Sequence, residues 1–187
     1  MNFKHIFEKW KIKMDVHTIL GIWNESSRHF HNLNHLNDLI EKINKDAHSM
    51  TEKQYEQLIL TAVFHDIVYD VMSNLNEEKS AEFFLSVCEN KDSGDVREIY
   101  DAIIATKTHK ANSELSEKFN KYDMSIVESS FDDLVKWEEG ISAEYLSVYD
   151  KNTYKNGRVK FLESLLNYYP LNSGNLLSLI ELVKNEY

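Results

Sequence analysis

The chain has little of what bends, breaks or staples a backbone: one proline, five glycines and one cysteine in 187 residues. So few turn-formers exclude a turn-rich β-sandwich and leave no glycine-cradled phosphate loop. The lone Cys88 excludes an internal disulfide and a multi-cysteine zinc knuckle. It reads as core filler on the face shared with Phe84 and Leu85 rather than as a nucleophile. No apolar run is long enough to span a bilayer. Met1-Asn2-Phe3-Lys4-His5 carries no apolar signal region, so the expectation is a cytoplasmic protein with no membrane partner. Positive charge is also scarce: 21 Lys and Arg stand against 31 Asp and Glu, a formal net charge of −10. That balance argues against a nucleic-acid polymer as partner, because a phosphate backbone demands clustered cations. A small anionic ligand stays open, since a metal ion and a few basic side chains reverse the potential locally.

What is present describes an ordinary globular protein, with 42% hydrophobic and 28% charged residues, and a single domain over residues 1–187 is expected. Apolar residues recur at helical spacing. Ile6, Trp10, Ile19 and Trp23 predict one opening helix, and Leu36, Leu39, Ile40 and Ile43 a second that begins near Asn34. Thr51-Glu52-Lys53-Gln54 has the form of a capping box and opens a helix running to His65-Asp66. Ser73-Asn74-Leu75-Asn76 connects to a helix with Ala81, Phe84, Leu85 and Cys88. Ser93-Gly94 then precedes another helix through Ile99 and Thr106. Residues 132–148 and 157–168 follow, with Pro170 as a stop before Leu176 to Val183. The expected fold class is all-α. Every apolar stripe is assigned to the chain's own core, so the sequence specifies no oligomeric state.

Some polar residues do not suit such a core. His65-Asp66 ends the apolar run Leu58-Ile59-Leu60-Thr61-Ala62-Val63-Phe64 and places a nitrogen and an anionic oxygen ligand side by side. Neighbouring helical side chains diverge by about 100°, so both reach one ion only if other segments complete its shell. His31 and His35 are four apart and share a face. Asp123 lies among semi-apolar neighbours. His35, His65, Asp66 and Asp123 form a two-histidine, two-carboxylate set suited to Mn, Fe, Co, Ni, Zn or Mg. Four protein ligands leave an octahedral ion two positions for water and substrate, which hydrolysis needs. Each member also has an ordinary reading. His35 could be a helix-start residue in polar contact, His65 a helix-terminal histidine satisfied by Asp66, and Asp123 the N-cap of residues 124–128.

The blocks Arg28-His29-Phe30-His31-Asn32-Leu33-Asn34-His35-Leu36, Ala62-Val63-Phe64-His65-Asp66-Ile67-Val68-Tyr69-Asp70 and Asn76-Glu77-Glu78-Lys79-Ser80-Ala81 resemble the HD superfamily of metal-dependent phosphohydrolases. Within it they look like a bacterial branch known as predicted HD-superfamily phosphohydrolases. Ile104-Ala105-Thr106-Lys107-Thr108-His109, Tyr122-Asp123-Met124-Ser125-Ile126 and Gly157-Arg158 extend the likeness over most of the chain. The resemblance implies a single compact HD-domain-like helical bundle. It also implies hydrolysis of a small-molecule phosphate substrate, a nucleotide or a related phosphomonoester or diester. A more distant similarity reaches the cyclic-nucleotide phosphodiesterases, which share a Tyr-His-Asn-x-x-His layout. It implies that His35 is the metal ligand and that His31 protonates the departing oxygen, with Phe30 in place of the tyrosine. A histidine titrating near neutral pH suits that task; a brace behind the ligands is the other reading of His31.

Departures from the family pattern shape the rest. HD proteins with two metals add histidines after the H-D pair. Here Asn76-Glu77-Glu78 stands near one such place, and Tyr69 where the phosphodiesterases carry a histidine. His109 is one alignable later histidine, which does not make a second site, so one divalent metal ion is expected. Glu77 or Glu78 would lie near the water or hold a ligand histidine, and Glu78 is a catalytic candidate with Asp66. Both are also ordinary first-turn acids that suit a helix dipole. Ser142 replaces an arginine and Glu128 a glycine of the branch, which alters the expected pocket. For the phosphate, Arg28 ranks first beside His31, followed by Arg158, with Lys79 and Lys107 as further candidates; each also reads as a surface charge or an ion-pair partner. Two other function classes stand beside hydrolysis: an iron-dependent oxidative enzyme, and a catalytically silent, metal-bound ligand-binding or interaction domain.

Overall fold

The computed structural model describes residues 3–187, and every regular element among them is helical. The helices are α1 (Lys4–Lys9), α2 (Val16–Trp23), α3 (Leu33–Asp46), α4 (Glu52–Phe64), α5 (Asn76–Val87), α6 (Gly94–Thr106), α7 (Glu114–Asp123), α8 (Phe131–Tyr145), α9 (Lys151–Leu165) and α10 (Ser173–Glu186). The fold is all-α. Among the described residues no helix is long and apolar enough to cross a membrane. The chain divides into two compact units between Asp123 and Met124.

The first unit is built around α4. Its Thr51–Gln54 capping box is complete, with Gln54 N–H donating to Thr51 Oγ1 and Thr51 N–H to Gln54 Oε1. Every residue from Glu56 to Phe64 is buried, so α4 beyond its first turn has no solvent face, and α3, α5, α6 and α7 all pack against it. A helix enclosed in this way reads as a continuous apolar run rather than as an amphipathic stripe. Its polar members are satisfied internally: Lys9 Nζ and Trp10 Nε1 donate to Glu56 at 2.8 and 2.9 Å, and Thr61 Oγ1 donates to the Gln57 carbonyl. Trp23, wholly buried, donates its indole N–H to the Val63 carbonyl at 2.9 Å and steadies the last turn of α4.

The single opening helix expected from Ile6 to Trp23 is two helices. Lys11 takes a left-handed φ of 53°, and Ile12 pairs with Cys88 in an isolated antiparallel bridge. Asp15 then caps α2 by accepting from Thr18 N–H. Cys88 is buried as expected, and burial pushes its thiol up to about 12, which suits an inert core residue.

The second unit holds α8, α9 and α10, whose Leu134, Ile141, Leu162, Leu176, Ile180 and Val183 are buried. Helix α9 begins at Lys151 rather than at the expected Gly157, because Asp150 accepts from Thr153 N–H and caps it. Gly157 sits inside the helix. Helix α8 stops at Tyr145, three residues short of Val148.

Candidate metal centre

Three helix ends of the first unit deliver the expected ligands. His35 lies in the first turn of α3, after Asn32 has capped that helix by accepting from Asn34 N–H. His65 is the C-cap of α4 and Asp66 follows it. Asp123 is the last residue of α7 and directly precedes the short 3-10 helix Met124–Glu128.

The polar atoms converge. His35 Nε2 and His65 Nε2 are 3.4 Å apart, Asp66 Oδ2 is 3.0 Å from His65 Nε2, and Asp123 Oδ1 is 3.3 Å from His35 Nε2 and 3.7 Å from His65 Nε2. Ligands bound about 2.1 Å from one ion stand about 3.0 Å apart at right angles and about 3.4 Å apart at tetrahedral angles. The observed separations fall in and just beyond that range. Among the described residues, His35, His65 and Asp66 form a grouping fit to hold a metal ion, and Asp123 reaches both of its histidines.

The surroundings fix how these groups face. His65 Nδ1 donates to the Ala62 carbonyl at 2.9 Å, which commits Nε2 to the cluster. His109 Nε2 lies 3.1 Å from Asp123 Oδ2 and leaves Oδ1 to His35 and His65. His109 does this from a left-handed backbone, φ 51°, a conformation that costs a non-glycine residue on the order of 1 kcal/mol and is kept where surrounding structure demands it. The sequence had singled out His109 only as one alignable histidine; its pairing with Asp123 comes from the α6–α7 connection. Phe119 and Trp23 wall His65, with ring centroids at 5.1 and 5.6 Å. Asn120, one turn before Asp123 and buried, has neither amide atom hydrogen-bonded.

Electrostatics favour a cation here. Burial alone would press the His65 imidazole down, but the Asp66 carboxylate, helped by Asp123, raises it to about 9. Burial would push Asp66 up, yet the adjacent His65, with help from His31, holds it well below the usual carboxylate range. Asp123 is held low in the same way, by hydrogen bonds from His109 and His35 acting against burial. Two half-buried carboxylates thus remain ionised and call for positive charge, from imidazole protons or from a divalent ion. The donor set, two imidazoles and two carboxylates, fits the expected ion.

His31 stands beside this cluster. Its ring stacks on Tyr69 with centroids 4.3 Å apart and meets the His35 ring edge-on at 6.2 Å. Phe30, in the tyrosine position of the resemblance, packs against His35 at 4.9 Å.

The other expected residues are placed differently. Arg28 turns inward, its side chain only 2% exposed, and donates to the carbonyls of His31, Asp66 and Ile67; it braces backbone instead of facing a phosphate. Arg158 belongs to the second unit, where Glu138 accepts from its Nε at 2.7 Å and Trp137 covers its guanidinium at 4.2 Å. Burial favours that internal pairing over an exposed anion site. Glu78 and Lys107 pair with each other, and Lys107 Nζ also donates to the Asn74 carbonyl at 2.6 Å. The hydrogen bond from Lys107 lowers the Glu78 carboxyl from its ordinary value. Lys79 is exposed and donates to Ser73 Oγ. Ser142 is buried in α8 and donates to the Glu139 carbonyl, a helix contact. Compared with known proteins, the chain matches no family model, no curated protein and no solved structure.

Proposed function

We propose that the chain is a metal-dependent phosphohydrolase of the HD type, acting on a small phosphate ester such as a nucleotide or a related phosphomonoester or diester. The observation that carries the reading is the convergence of His35, His65, Asp66 and Asp123 with His31 at its edge. The resemblance of the sequence blocks to HD phosphohydrolases supports it.

One divalent ion would be held by His35, His65, Asp66 and Asp123, and would supply Lewis acidity toward a phosphate oxygen and a water. The protein's own groups perform the remaining tasks. His109 holds the Asp123 carboxylate in one orientation, and the Ala62 carbonyl fixes the tautomer of His65. Asp66 orients the attacking water and accepts its proton. His31 donates an imidazole proton to the leaving oxygen as the P–O bond breaks, so that the product leaves as an alcohol rather than as an alkoxide. The Tyr69 ring holds the His31 imidazole face-on. A divalent ion there would cancel the two carboxylates and so relieve negative charge where an anionic ester must approach.

The test is a screen of nucleotides, phosphomonoesters and phosphodiesters with Mn, Fe, Co, Ni, Zn and Mg. Turnover of at least one ester class, dependent on added metal, is expected. Metal bound with no turnover across the whole panel would instead identify a silent metal-bound domain, and oxygen consumption by the iron form an oxidative enzyme.

A further inference from the structure

Helix α4 ends at Phe64, and the backbone from His65 to Tyr69 has no regular structure. Carbonyls beyond a helix C-terminus have no partner within the helix and lie at the negative end of its dipole. Two of them, on Asp66 and Ile67, are taken by Arg28, with Nη1 and Nη2 donating at 2.7 and 2.9 Å. The same Nη1 donates to the His31 carbonyl at 3.1 Å. Trp23 and Tyr69 lie against the guanidinium, 5.5 and 5.6 Å from its carbon to the ring centroids. Tyr69 in turn stacks on the His31 imidazole at 4.3 Å. Glu25 Oε2, 3.7 Å from Nε, is the nearby counter-charge.

We infer that Arg28 is a positioning residue, whose buried guanidinium ties the turn carrying His31 to the backbone that follows His65 and so sets the proposed acid against the ligand cluster. The catalytic consequence rests on the hydrolase reading above; the bracing itself does not. Only a planar fork reaches carbonyls on two segments at once while lying between two rings. A lysine, with its charge at one point, holds fewer of them and stacks less well. Both Nη1 hydrogens and one on Nη2 are committed to backbone, while Nε, buried and without a hydrogen-bond partner, has the Glu25 carboxylate 3.7 Å away.

The test uses Arg28→Lys and Arg28→Met in the full chain, loaded with Mn for kinetics and metal-free for spectroscopy. In histidine-labelled protein the ring-current-shifted signal of His31, assigned with His31→Gln, is expected to move toward the unstacked position in both variants. Turnover of an alkyl phosphate, whose poor leaving group needs the acid, should fall about 10²-fold or more, whereas p-nitrophenyl phosphate should lose far less. Inhibition by inorganic phosphate should stay within a few-fold of wild type, placing the loss in kcat rather than in KM. An unmoved His31 signal would overturn the inference. So would full rescue by Lys, or an equal loss on both esters accompanied by weakened phosphate inhibition. If Arg28→Met does not fold, Arg28→Lys alone decides, by the same signal. Failure of the wild type to hydrolyse either ester would refute the hydrolase reading and leave the spectroscopic result to judge the bracing.

Discussion

His31 and His35 are four residues apart in sequence and differ in what holds them. His35 is buried and shares the cluster with His65 and Asp123, whereas His31 is half-buried and stacked on Tyr69. His31→Gln is therefore expected to keep its metal while turnover falls by about 10²–10⁴-fold; metal loss in that variant, by elemental analysis, would mean the two roles are exchanged. His65 gives a second prediction. Its folded pKa of about 9 lies above the unfolded value of 6.5, so in the metal-free protein its proton stabilises the fold fully below pH about 6.5. That stabilisation, on the order of 3 kcal/mol, is lost as pH rises through about 9. Asp66 and Asp123 act in the opposite sense, being held low: their contribution is present above pH about 4 and is lost as pH falls further. A metal ion bound as proposed would displace the His65 proton, so apparent affinity should rise about tenfold per pH unit until about pH 9 and then level. Calorimetry in buffers of different ionisation enthalpy should count about one proton released at pH 7.5; a pH-independent affinity would remove His65 from the ligand set.

At the scale of elements, the cluster depends on how α3 begins and how α4 and α7 end. Trp23→Phe deletes the indole donor to Val63 in a buried setting. It is expected to cost about 1–3 kcal/mol in urea unfolding and to weaken metal binding by loosening the turn before His65. Thr51→Ala, at the far end of α4, should cost about 1 kcal/mol and leave metal affinity unchanged. The two ends also show what was legible in the sequence. Thr51 and Gln54 carry their own capping geometry, and Leu36, Leu39, Ile40 and Ile43 mark the buried face of α3, so both helices could be read from local pattern. The break between α1 and α2 could not: neither glycine nor proline marks Lys11, and its left-handed turn is held by Ile12 pairing with the distant Cys88. Helix α7 carries no clear apolar period, because its inward face includes Ser116 and Asn120 beside Leu115 and Phe119. Asp150 and Thr153 did hold a cap signal for α9, overshadowed by Gly157.

At the scale of the whole chain, ligand chemistry was more legible than the disposition of charge. The residue types of His35, His65, Asp66 and Asp123 restrict what they can do in a core, and their atoms do converge. Arg28 and Arg158 could have faced either way, and only packing decides that both turn inward, against backbone carbonyls and against Glu138. Removing the carboxylate in Glu138→Gln leaves Arg158 buried without its counter-charge, and should destabilise the second unit by about 3–5 kcal/mol. Hydrogen exchange should register that loss in α8, α9 and α10, whereas metal addition should protect α3, α4 and α7 of the first unit. The most direct measurement of the central claim compares wild type with Asp66→Ala, both stripped and reconstituted, for metal stoichiometry and for hydrolysis of the best ester from the screen. The expected result is one ion per wild-type chain with metal-dependent turnover, and loss of both in Asp66→Ala. Full activity in Asp66→Ala, or turnover by the wild type that metal removal does not change, would contradict it.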